Sequence, residues 1–558
     1  MKGLASGDLT LVIVAAVLAR AAYVLIAPIE QVAFRSTDDA YYYFQVARNF
    51  ALGHGLTFDG LHPTNGFHPL WMLLLLPVYG LWGADPVLAL RAVFVLVAIV
   101  AGVAAWFACR VFRRLGGAWA AGLGLLFLVQ PFVLYPMVNG LETGVLIACL
   151  FALLDFAQRE DPLAPGAAPG AAIRLGALLG LTMLARLDSV FLVPAIALVL
   201  AFDALARDGS RGLPGLVRKG VLLGLPFVLV VAPYLVWNRA TFGHWVPISG
   251  AVKSTFPSLW FEPGELRGFR ALYGFGQVLF VGAALVLCAA LARRAGGRAG
   301  TRSRLAETLE AIPGRTSFVL LLAALGLANL LHAAYTVLFV AWGTQWWHFA
   351  SYLPATLCLA VLGVSWVDRL IGRRGLAYAG AAAVLVVALF AGASWEKRQR
   401  GDVRTRWHEA ALWARAHLPG NAVLAMTDCG YFAYFCGRPV VNLDGIINGY
   451  EYQDALATHR LEEFLARSHV THVGGHAVHY EADRYVIRLP AWLARGSGSA
   501  IVARPEAEIW RSESFPRFTG SGRPDVVRYT FWDASRVHVV ADMDTLDKYL
   551  SSIQSARP

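Results

Sequence analysis

Eleven apolar runs along the first 395 residues constrain this chain more than any other feature. A transmembrane helix needs about 20 consecutive apolar residues, and runs near this length recur here. The composition agrees, because 57% of the 558 residues are hydrophobic and only 15% are charged. A soluble chain of this composition could not cover its own surface with polar groups, so we predict a polytopic α-helical membrane protein. The predicted spans are 9–27, 86–109, 117–134, 141–157, 172–186, 188–205, 220–237, 271–292, 316–340, 347–368 and 376–394.

The distribution of basic residues orients these spans. A twelfth apolar run, 68–83, is short and contains two prolines. If it does not cross and the N-terminus is cytoplasmic, most Arg and Lys of the membrane region lie inside, as the positive-inside rule requires. If it crossed, the Arg-rich segment 293–304 would face outward. We therefore predict that 68–83 is a partly embedded juxtamembrane helix and that the C-terminus lies outside. The net charge of +11 is then explained by membrane orientation rather than by nucleic-acid binding.

The composition changes near Trp395, which predicts two domains, 1–395 in the membrane and 396–558 outside it. The second domain has an amphipathic helical pattern at 404–420 and another at 454–468, with short strand-like runs between and after them. We predict an extracytoplasmic α/β domain. Cys429 and Cys436 lie seven residues apart in it, and the spacing alone leaves open whether they form a disulfide.

The first outer loop, residues 28–85, is the most informative stretch of the sequence. Residues 39–52 have helical spacing, with Asp38 and Asp39 at the start, where a helix N-terminus stabilises carboxylates. The two aspartates could simply cap a juxtamembrane helix. However, adjacent carboxylates repel each other, which favours a functional role for at least one of them.

This loop resembles the first outer loop of the GT-C membrane glycosyltransferases. In that superfamily an acidic residue opens the first juxtamembrane helix, and a Tyr-rich stretch and an Ala-Arg pair follow. Arg48 lies nine residues after Asp39, as in the lipid A aminoarabinose transferases, although Ala40 stands where those enzymes have Glu. The Asp38–Asp39 pair is closer to the mycobacterial arabinofuranosyltransferases, and the protein O-mannosyltransferases and oligosaccharyltransferase catalytic subunits share the layout more distantly.

Four later segments extend the resemblance as far as Asn448. Each resembles a segment found at the same place along GT-C chains. They are VNGLETGV (138–145), ARLDSVFLVP (185–194), VWNRATFGHWVPISGAVKST (236–255) and DCGYFAYFCGRPVVNLDGIIN (428–448).

The resemblance implies the GT-C fold and an inverting glycosyltransferase in a bacterial inner membrane. Such an enzyme moves a sugar, here arabinofuranose or another pentose or hexose, from a polyprenyl-phosphate donor to a glycan, lipid or protein acceptor at the outer face. Because phosphate leaves readily, one general base suffices, in contrast to the two carboxylates of glycoside hydrolases. The resemblance assigns Asp39 as this base, with Asp38 as the second candidate.

Cations are expected near the departing phosphate, and Lys253 stands at the usual basic position of the superfamily. Each candidate also has a structural interpretation: a snorkelling lysine at 253, a dipole-stabilised Glu142, an Arg186–Asp188 ion pair, or hydrogen-bonded histidines. A divalent metal is an alternative role for Glu142, and the sequence identifies no certain cofactor. The candidate substrate-binding residues are Tyr42, Arg48, His62, His68, Glu142, Arg186, Asp188, Lys253 and His348.

Two other classes of protein remain open at this point. A lipid transporter or flippase would explain the spans, but it predicts repeated halves or broken helices, and the sequence shows no repeat. A non-catalytic envelope-assembly protein would tolerate Asp39→Asn. Neither a Walker A sequence nor a strand-following GxGxxG is present, which agrees with a lipid-linked donor rather than a nucleotide.

Overall fold

The computed structural model describes residues 6–129, 137–260, 310–343, 345–371, 403–475, 479–491, 493, 498–512, 515–518, 524–527 and 530–555. The amino-terminal part of the chain is helical. Its helices are α1 (Ser6–Ile26), α2 (Ile29–Ala33), α3 (Asp38–Ala51), α4 (Pro69–Trp82), α5 (Pro86–Gly116), α6 (Ala118–Leu123), α7 (Leu126–Val129), α8 (Thr143–Glu160), α9 (Pro169–Ala185), α10 (Leu192–Asp208), α11 (Leu213–Phe242), α12 (Ile248–Lys253), α13 (Arg315–Phe339) and α14 (Tyr352–Ile371).

Five described helices are long and apolar enough to cross a membrane, and they confirm a membrane-embedded protein. They match five of the predicted spans. The predicted spans 141–157, 172–186 and 347–368 are also helical in whole or in large part, but these helices are shorter or carry more charge. The predicted span 117–134 is two short helices, α6 and α7, over its described part, and residues 130–134 lie outside the described residues. Spans 271–292 and 376–394 lie outside the described residues, as does the predicted domain boundary at 395, so the total of eleven is not confirmed. The five are Gly7–Ile26, Pro86–Gly116, Leu187–Arg207, Leu213–Phe242 and Arg315–Phe339.

The outer loop contains three short helices, α2, α3 and α4, which pack beside the amino-terminal part of α5. Helix α3 begins at Asp38, within one residue of the predicted start, and buries Tyr41 and Phe44. Helix α4 has 14 residues, about 21 Å, which is too short to span. It matches the predicted juxtamembrane helix 68–83. Helix α5 begins at the Asp85 cap and has 31 residues, about 46 Å, so it reaches from this loop to the far side of the membrane region.

At that far side, one buried carboxylate joins the ends of α5 and α8. Asp155 has no solvent exposure and contacts three guanidinium groups, from Arg110 at 2.9 Å, Arg114 at 2.7 Å and Arg159 at 2.9 Å. Charges inside a membrane protein are tolerated when they are paired in this way. The cluster places a net positive charge at the end of the helices opposite the outer loop.

The carboxyl-terminal part is an α/β domain, as predicted. A five-stranded mixed sheet has the order β2-β1-β3-β10-β7, with β1 parallel to β2 and β3. A four-stranded antiparallel sheet has the order β11-β6-β5-β4, and β8 pairs with β9. The helices are α15 (Val403–His417), α16 (Gly430–Cys436), α17 (Tyr450–Ala457), α18 (Leu461–Arg467) and α19 (Met543–Ser555), and the strands are β1 (Leu424–Met426), β2 (Val440–Asn442), β3 (His472–Gly475), β4 (His479–Glu481), β5 (Arg484–Pro490), β6 (Gly498–Ala503), β7 (Glu508–Arg511), β8 (Phe515–Phe518), β9 (Pro524–Val527), β10 (Thr530–Asp533) and β11 (Val537–Val540).

The structure corrects one local prediction and resolves one open question. The predicted helix 454–468 is two helices, α17 and α18, because His459 adopts the left-handed conformation with a φ of 57°. Cys429 and Cys436 are both free and buried. They flank α16 at its two ends, about 10 Å apart along the helix axis, which is beyond the reach of a disulfide.

Helix α16 leaves the α/β domain and packs into the outer loop of the membrane domain. Tyr431 and Tyr434 are buried and contact Tyr41 of α3, with ring centroids 4.9 and 5.5 Å apart. The Tyr434 hydroxyl donates to the carbonyl of Pro86 at 2.7 Å. The two domains therefore share one continuous apolar core at this contact.

We predict that Asp155→Asn destabilises the membrane domain by about 3 kcal/mol or more, because it leaves three guanidinium groups without their common anion. The measurement is the thermal midpoint in detergent. Asp203→Asn is the matched control, since Asp203 pairs only with Arg207 among the described residues and its side chain is 20% exposed. Equal shifts for the two variants would contradict a stabilising role of the Asp155 cluster.

Candidate active site

A polar cavity lies between the outer loop, the ends of several membrane helices and the α/β domain. Its empty volume is about 510 Å³. Seven of the eleven residues that the sequence predicts for the site line it: Asp39, Tyr42, His68, Glu142, Arg186, Lys253 and His348. These residues are separated by up to 309 positions in the sequence, and only the fold brings them together.

Asp39 presents its carboxylate to this cavity from the first turn of α3. No described residue donates a hydrogen bond to it. Burial raises the pKa of Asp39; the Asp428 and Glu142 carboxylates act in the same direction, while the Lys253 ammonium opposes them. A largely buried carboxylate that has a raised pKa and accepts no hydrogen bond from a described residue is suited to accept a proton from a bound molecule.

Lys253 faces the same cavity from the last residue of α12. Its ammonium lies 5.8 Å from the ring centroid of Trp342, and it forms no close ion pair within the described part of the chain. Burial lowers the pKa of Lys253, and Asp39 counteracts this effect. The cavity thus holds a cation and a carboxylate that interact through space while both stay available to a ligand.

One wall of the cavity is, by contrast, a network of ion pairs and hydrogen bonds around Glu142. Glu142 itself is only 4% exposed. Its carboxylate accepts from the Tyr43 hydroxyl at 3.0 Å and lies 3.3 Å from the Arg186 guanidinium. Arg186 in turn donates to Asp188 at 2.8 Å and to the carbonyl of Trp347 at 3.0 Å. Buried charges that are paired and hydrogen-bonded in this way are fixed in position.

Two histidines of the cavity have one ring nitrogen engaged by the backbone. The Leu187 N–H donates to Nδ1 of His68 at 3.1 Å, and the Gln345 N–H donates to Nδ1 of His348 at the same distance. Burial lowers the pKa of His68. A neutral ring that accepts at Nδ1 carries its proton on Nε2, so the other nitrogen of each ring is a donor.

The α/β domain also contributes to the cavity. Ile446 and Ile447 form part of the wall, and Tyr42 reaches the domain through the Asp444 carboxylate, to which it donates at 3.4 Å. Gly66 lines the same side, where a Cβ would lie 2.4 Å from the Ile446 carbonyl oxygen. The cavity is therefore complete only when the two domains are docked.

Four predicted site residues do not line this cavity. Asp38 faces the α/β domain, and Asp188 lies behind Arg186. Arg48 donates to the carbonyl of Gly83 at 3.1 Å. Nine residues correspond to two and a half helical turns, so Arg48 lies on the face of α3 opposite Asp39.

The fourth of these residues, His62, lines a separate outer cleft with His244 and Tyr450. Its Nδ1 lies 2.7 Å from the Asp59 carboxylate, and its ring stacks on Phe464.

Sequence reasoning missed Tyr43, Trp347 and the two isoleucines of the wall. Tyr43 follows Asp39 by four residues on α3, so the helical period alone would have placed it on the same face. Ile446 and Ile447 carry no such signal, because apolar residues from a distant domain become part of a site only through tertiary packing.

The described residues contain no group of three or more His, Cys, Asp or Glu side chains placed to hold a metal ion. Glu142, the residue for which the sequence left a metal open, is instead committed to Tyr43 and Arg186.

The structure combines a helical membrane domain, a loop with juxtamembrane helices and an α/β domain. The structure is similar to that of ArnT from Cupriavidus metallidurans bound to undecaprenyl phosphate, with a TM-score of 0.52 and 14% sequence identity. The similarity covers 84% of this chain and 93% of that one. The chain therefore has the GT-C fold that the sequence predicted.

An oligosaccharyltransferase from Archaeoglobus fulgidus in the apo form is also similar, with a TM-score of 0.48, 14% identity and coverage of 83% of this chain and 69% of that one. Residues 394–527 match a family described as a domain of unknown function, DUF8728. No curated protein matches the chain in sequence.

We predict that Glu142→Gln lowers the free energy of unfolding by about 3 kcal/mol, because it removes one anion from a buried ion-pair network. Thermal unfolding in detergent measures the change. Glu30→Gln is the control, since the Glu30 carboxylate is 44% exposed, lies 3.8 Å from His408 and should contribute less than about 1 kcal/mol. Similar shifts for both variants would show that the network does not stabilise the cavity.

Proposed function

We propose that the protein is an inverting glycosyltransferase that moves a sugar from a polyprenyl-phosphate donor to an acceptor hydroxyl, with Asp39 as general base. The observation that carries the proposal is the pair formed by Asp39 and Lys253. They line one cavity and influence each other's pKa, and neither forms a close ion pair within the described residues. The GT-C fold supports the same class of reaction.

The reaction needs one proton transfer. The acceptor oxygen attacks the anomeric carbon and forms the new glycosidic bond, while the bond from that carbon to the phosphate oxygen breaks and its electron pair leaves with the phosphate. The acceptor proton goes to the Asp39 carboxylate. Attack from the face opposite the leaving group inverts the anomeric configuration. Base catalysis of this kind contributes about 10²–10⁴-fold.

Lys253 acts on the departing phosphate. The donor phosphodiester carries one negative charge and the released monoester carries a second as it leaves, so the charge on the phosphate grows in the transition state. A largely buried ammonium beside this group stabilises the transition state more than the ground state.

The wall around Glu142 positions the sugar. Glu142 is held by Tyr43 and Arg186 and offers its remaining acceptor capacity to a donor hydroxyl group. The neutral His68 and His348 rings supply Nε2–H donors at the same cavity. Ring hydroxyls need both acceptors and donors, and fixed partners supply them without reorganisation during the reaction.

A polyprenyl phosphate is the carrier that we propose, and the bound undecaprenyl phosphate of the similar ArnT structure supports this choice. Among donor sugars we would test arabinofuranose first, because the Asp38–Asp39 pair resembles the mycobacterial arabinofuranosyltransferases. The acceptor is a cell-envelope glycan, lipid or protein.

We also propose that the protein lies in a bacterial inner membrane with the N-terminus cytoplasmic and the α/β domain outside. The three arginines that surround Asp155 support this orientation, because they lie at the end of α5 and α8 opposite the cavity. The cavity then opens at the outer face of the membrane.

We predict that Asp39→Asn lowers turnover by about 10²–10⁴-fold, because the amide cannot accept the acceptor proton. The measurement is release and transfer of sugar from radiolabelled polyprenyl-phosphate sugars by the purified protein in nanodiscs. Asp85→Asn is the matched control, since Asp85 is also an outer-loop aspartate but caps α5 away from the cavity. Full activity of Asp39→Asn would exclude it as the base.

We predict that activity falls on the acid side as Asp39 becomes protonated, and that Lys253→Met moves this limb to higher pH. Lys253 lowers the pKa of Asp39, so its removal raises that pKa. The pH profile of kcat/KM for the donor measures the shift, and the KM for the donor should rise as well.

Lys219→Met is the control for this prediction, because Lys219 donates to the carbonyl of Leu163, a residue that does not line the cavity. An acid limb that stays in place in Lys253→Met would contradict the coupling between the two groups.

A further inference from the structure

The two adjacent aspartates of the outer loop have different environments, and the structure gives each its own task. We propose that Asp38 is a positioning residue through which the α/β domain holds Asp39 in its catalytic position. The proposal rests on the proposed function of Asp39. It gives the domain that matches a family of unknown function a direct part in catalysis.

The contact between Asp38 and the α/β domain is bidentate. One carboxylate oxygen of Asp38 accepts from the N–H of Gly430 at 3.0 Å, and the other accepts from the N–H of Tyr431 at 2.7 Å. The approach requires glycine, because a Cβ on Gly430 would lie 2.3 Å from the Asp38 carbonyl oxygen. A carboxylate that accepts from two amides is fixed in both direction and distance.

The partner of Asp38 is itself rigid. Helix α16 is buried along its whole length between the two domains. The Tyr434 hydroxyl lies 3.1 Å from the Tyr79 hydroxyl of α4, and the Tyr431 ring packs on Phe34 and Tyr41. The helix that carries these two amides therefore packs on three parts of the membrane domain. Its contact with Asp38 fixes α3 at the turn that carries Asp39.

The bidentate contact between Asp38 and α16 affects the reaction through Asp39. Asp39 follows Asp38 in the first turn of α3, so a rotation of that turn moves both carboxylates. Asp39 has no hydrogen-bond donor of its own among the described residues, so its position depends on the backbone of α3. A misplacement of about 1 Å can reduce a rate about 10²-fold.

The test compares Asp38→Asn with wild type in the nanodisc assay of donor turnover. An asparagine keeps one acceptor oxygen and places an NH₂ group against the second amide. We expect kcat to fall about 10- to 100-fold while the KM for the polyprenyl-phosphate sugar stays within about twofold, because Lys253 and Glu142 are unchanged. Asp38→Glu restores both acceptors and should recover more of the lost kcat than Asp38→Asn.

Two further variants separate positioning from a loss of stability. Asp85→Ala removes a helix cap, since Oδ1 of Asp85 accepts from two backbone amides, at 2.9 and 3.0 Å. It should lower the thermal midpoint without a comparable loss of kcat. Gly430→Ala disturbs the same contact from the side of the α/β domain and should lower kcat as Asp38→Asn does. The double variant Asp38→Asn/Gly430→Ala should lose less than the product of the two single losses, because both act on one contact.

The outcomes distinguish the two proposals. A kcat of Asp38→Asn no lower than that of Asp85→Ala, measured where Asp39→Asn is inactive, overturns the positioning role and leaves the base in place. An equal loss in kcat and in the fraction of folded protein also overturns it. Full activity of Asp39→Asn overturns the proposed function, and the positioning role falls with it.

Discussion

The contact between α16 and the outer loop is the interaction on which the rest of the site depends. It joins residues almost 400 positions apart, through the Asp38 carboxylate and the amides of Gly430 and Tyr431. The aromatic rings around it merge the core of the membrane domain with that of the α/β domain. Because Ile446 and Ile447 follow in the same domain, this docking also places one wall of the cavity.

The docking explains how two neighbouring carboxylates can be kept beside a membrane. Successive residues of a helix point about 100° apart, so Asp38 and Asp39 face different surroundings. Asp38 is stabilised by two amide dipoles, although burial raises its pKa to about 7, and Asp428 and Asp39 add to the increase. Asp39 is stabilised mainly by Lys253 across the cavity. Each carboxylate thus has a separate source of positive potential, which offsets their mutual repulsion.

The sequence predicted what depends on local pattern and order. Apolar runs predicted five spans that the structure shows, helical spacing predicted α3 to within a residue, and seven of the predicted site residues line one cavity. The sequence could not predict which way a side chain faces around its helix, or which residues meet across the two domains. Arg48 matched a family spacing yet lies on the opposite face of α3. The sequence did not predict the break at His459, because this left-handed position is occupied by a histidine and not by the glycine that usually marks such a conformation.

The division of charge within the cavity fits the proposed transfer reaction, in which a proton acceptor and a cation must both stay available to the substrate. Glu142, Arg186 and Asp188 satisfy one another, so their fields are fixed before a substrate arrives. If Asp39 and Lys253 were paired in the same way, a substrate would have to break that ion pair before the acceptor proton and the departing phosphate could use them. Their separation keeps a proton acceptor and a phosphate-binding cation ready at the same time. No side chain of the described residues donates to Asp39, so the backbone of α3 must hold it, and the contact of Asp38 with the α/β domain fixes that backbone.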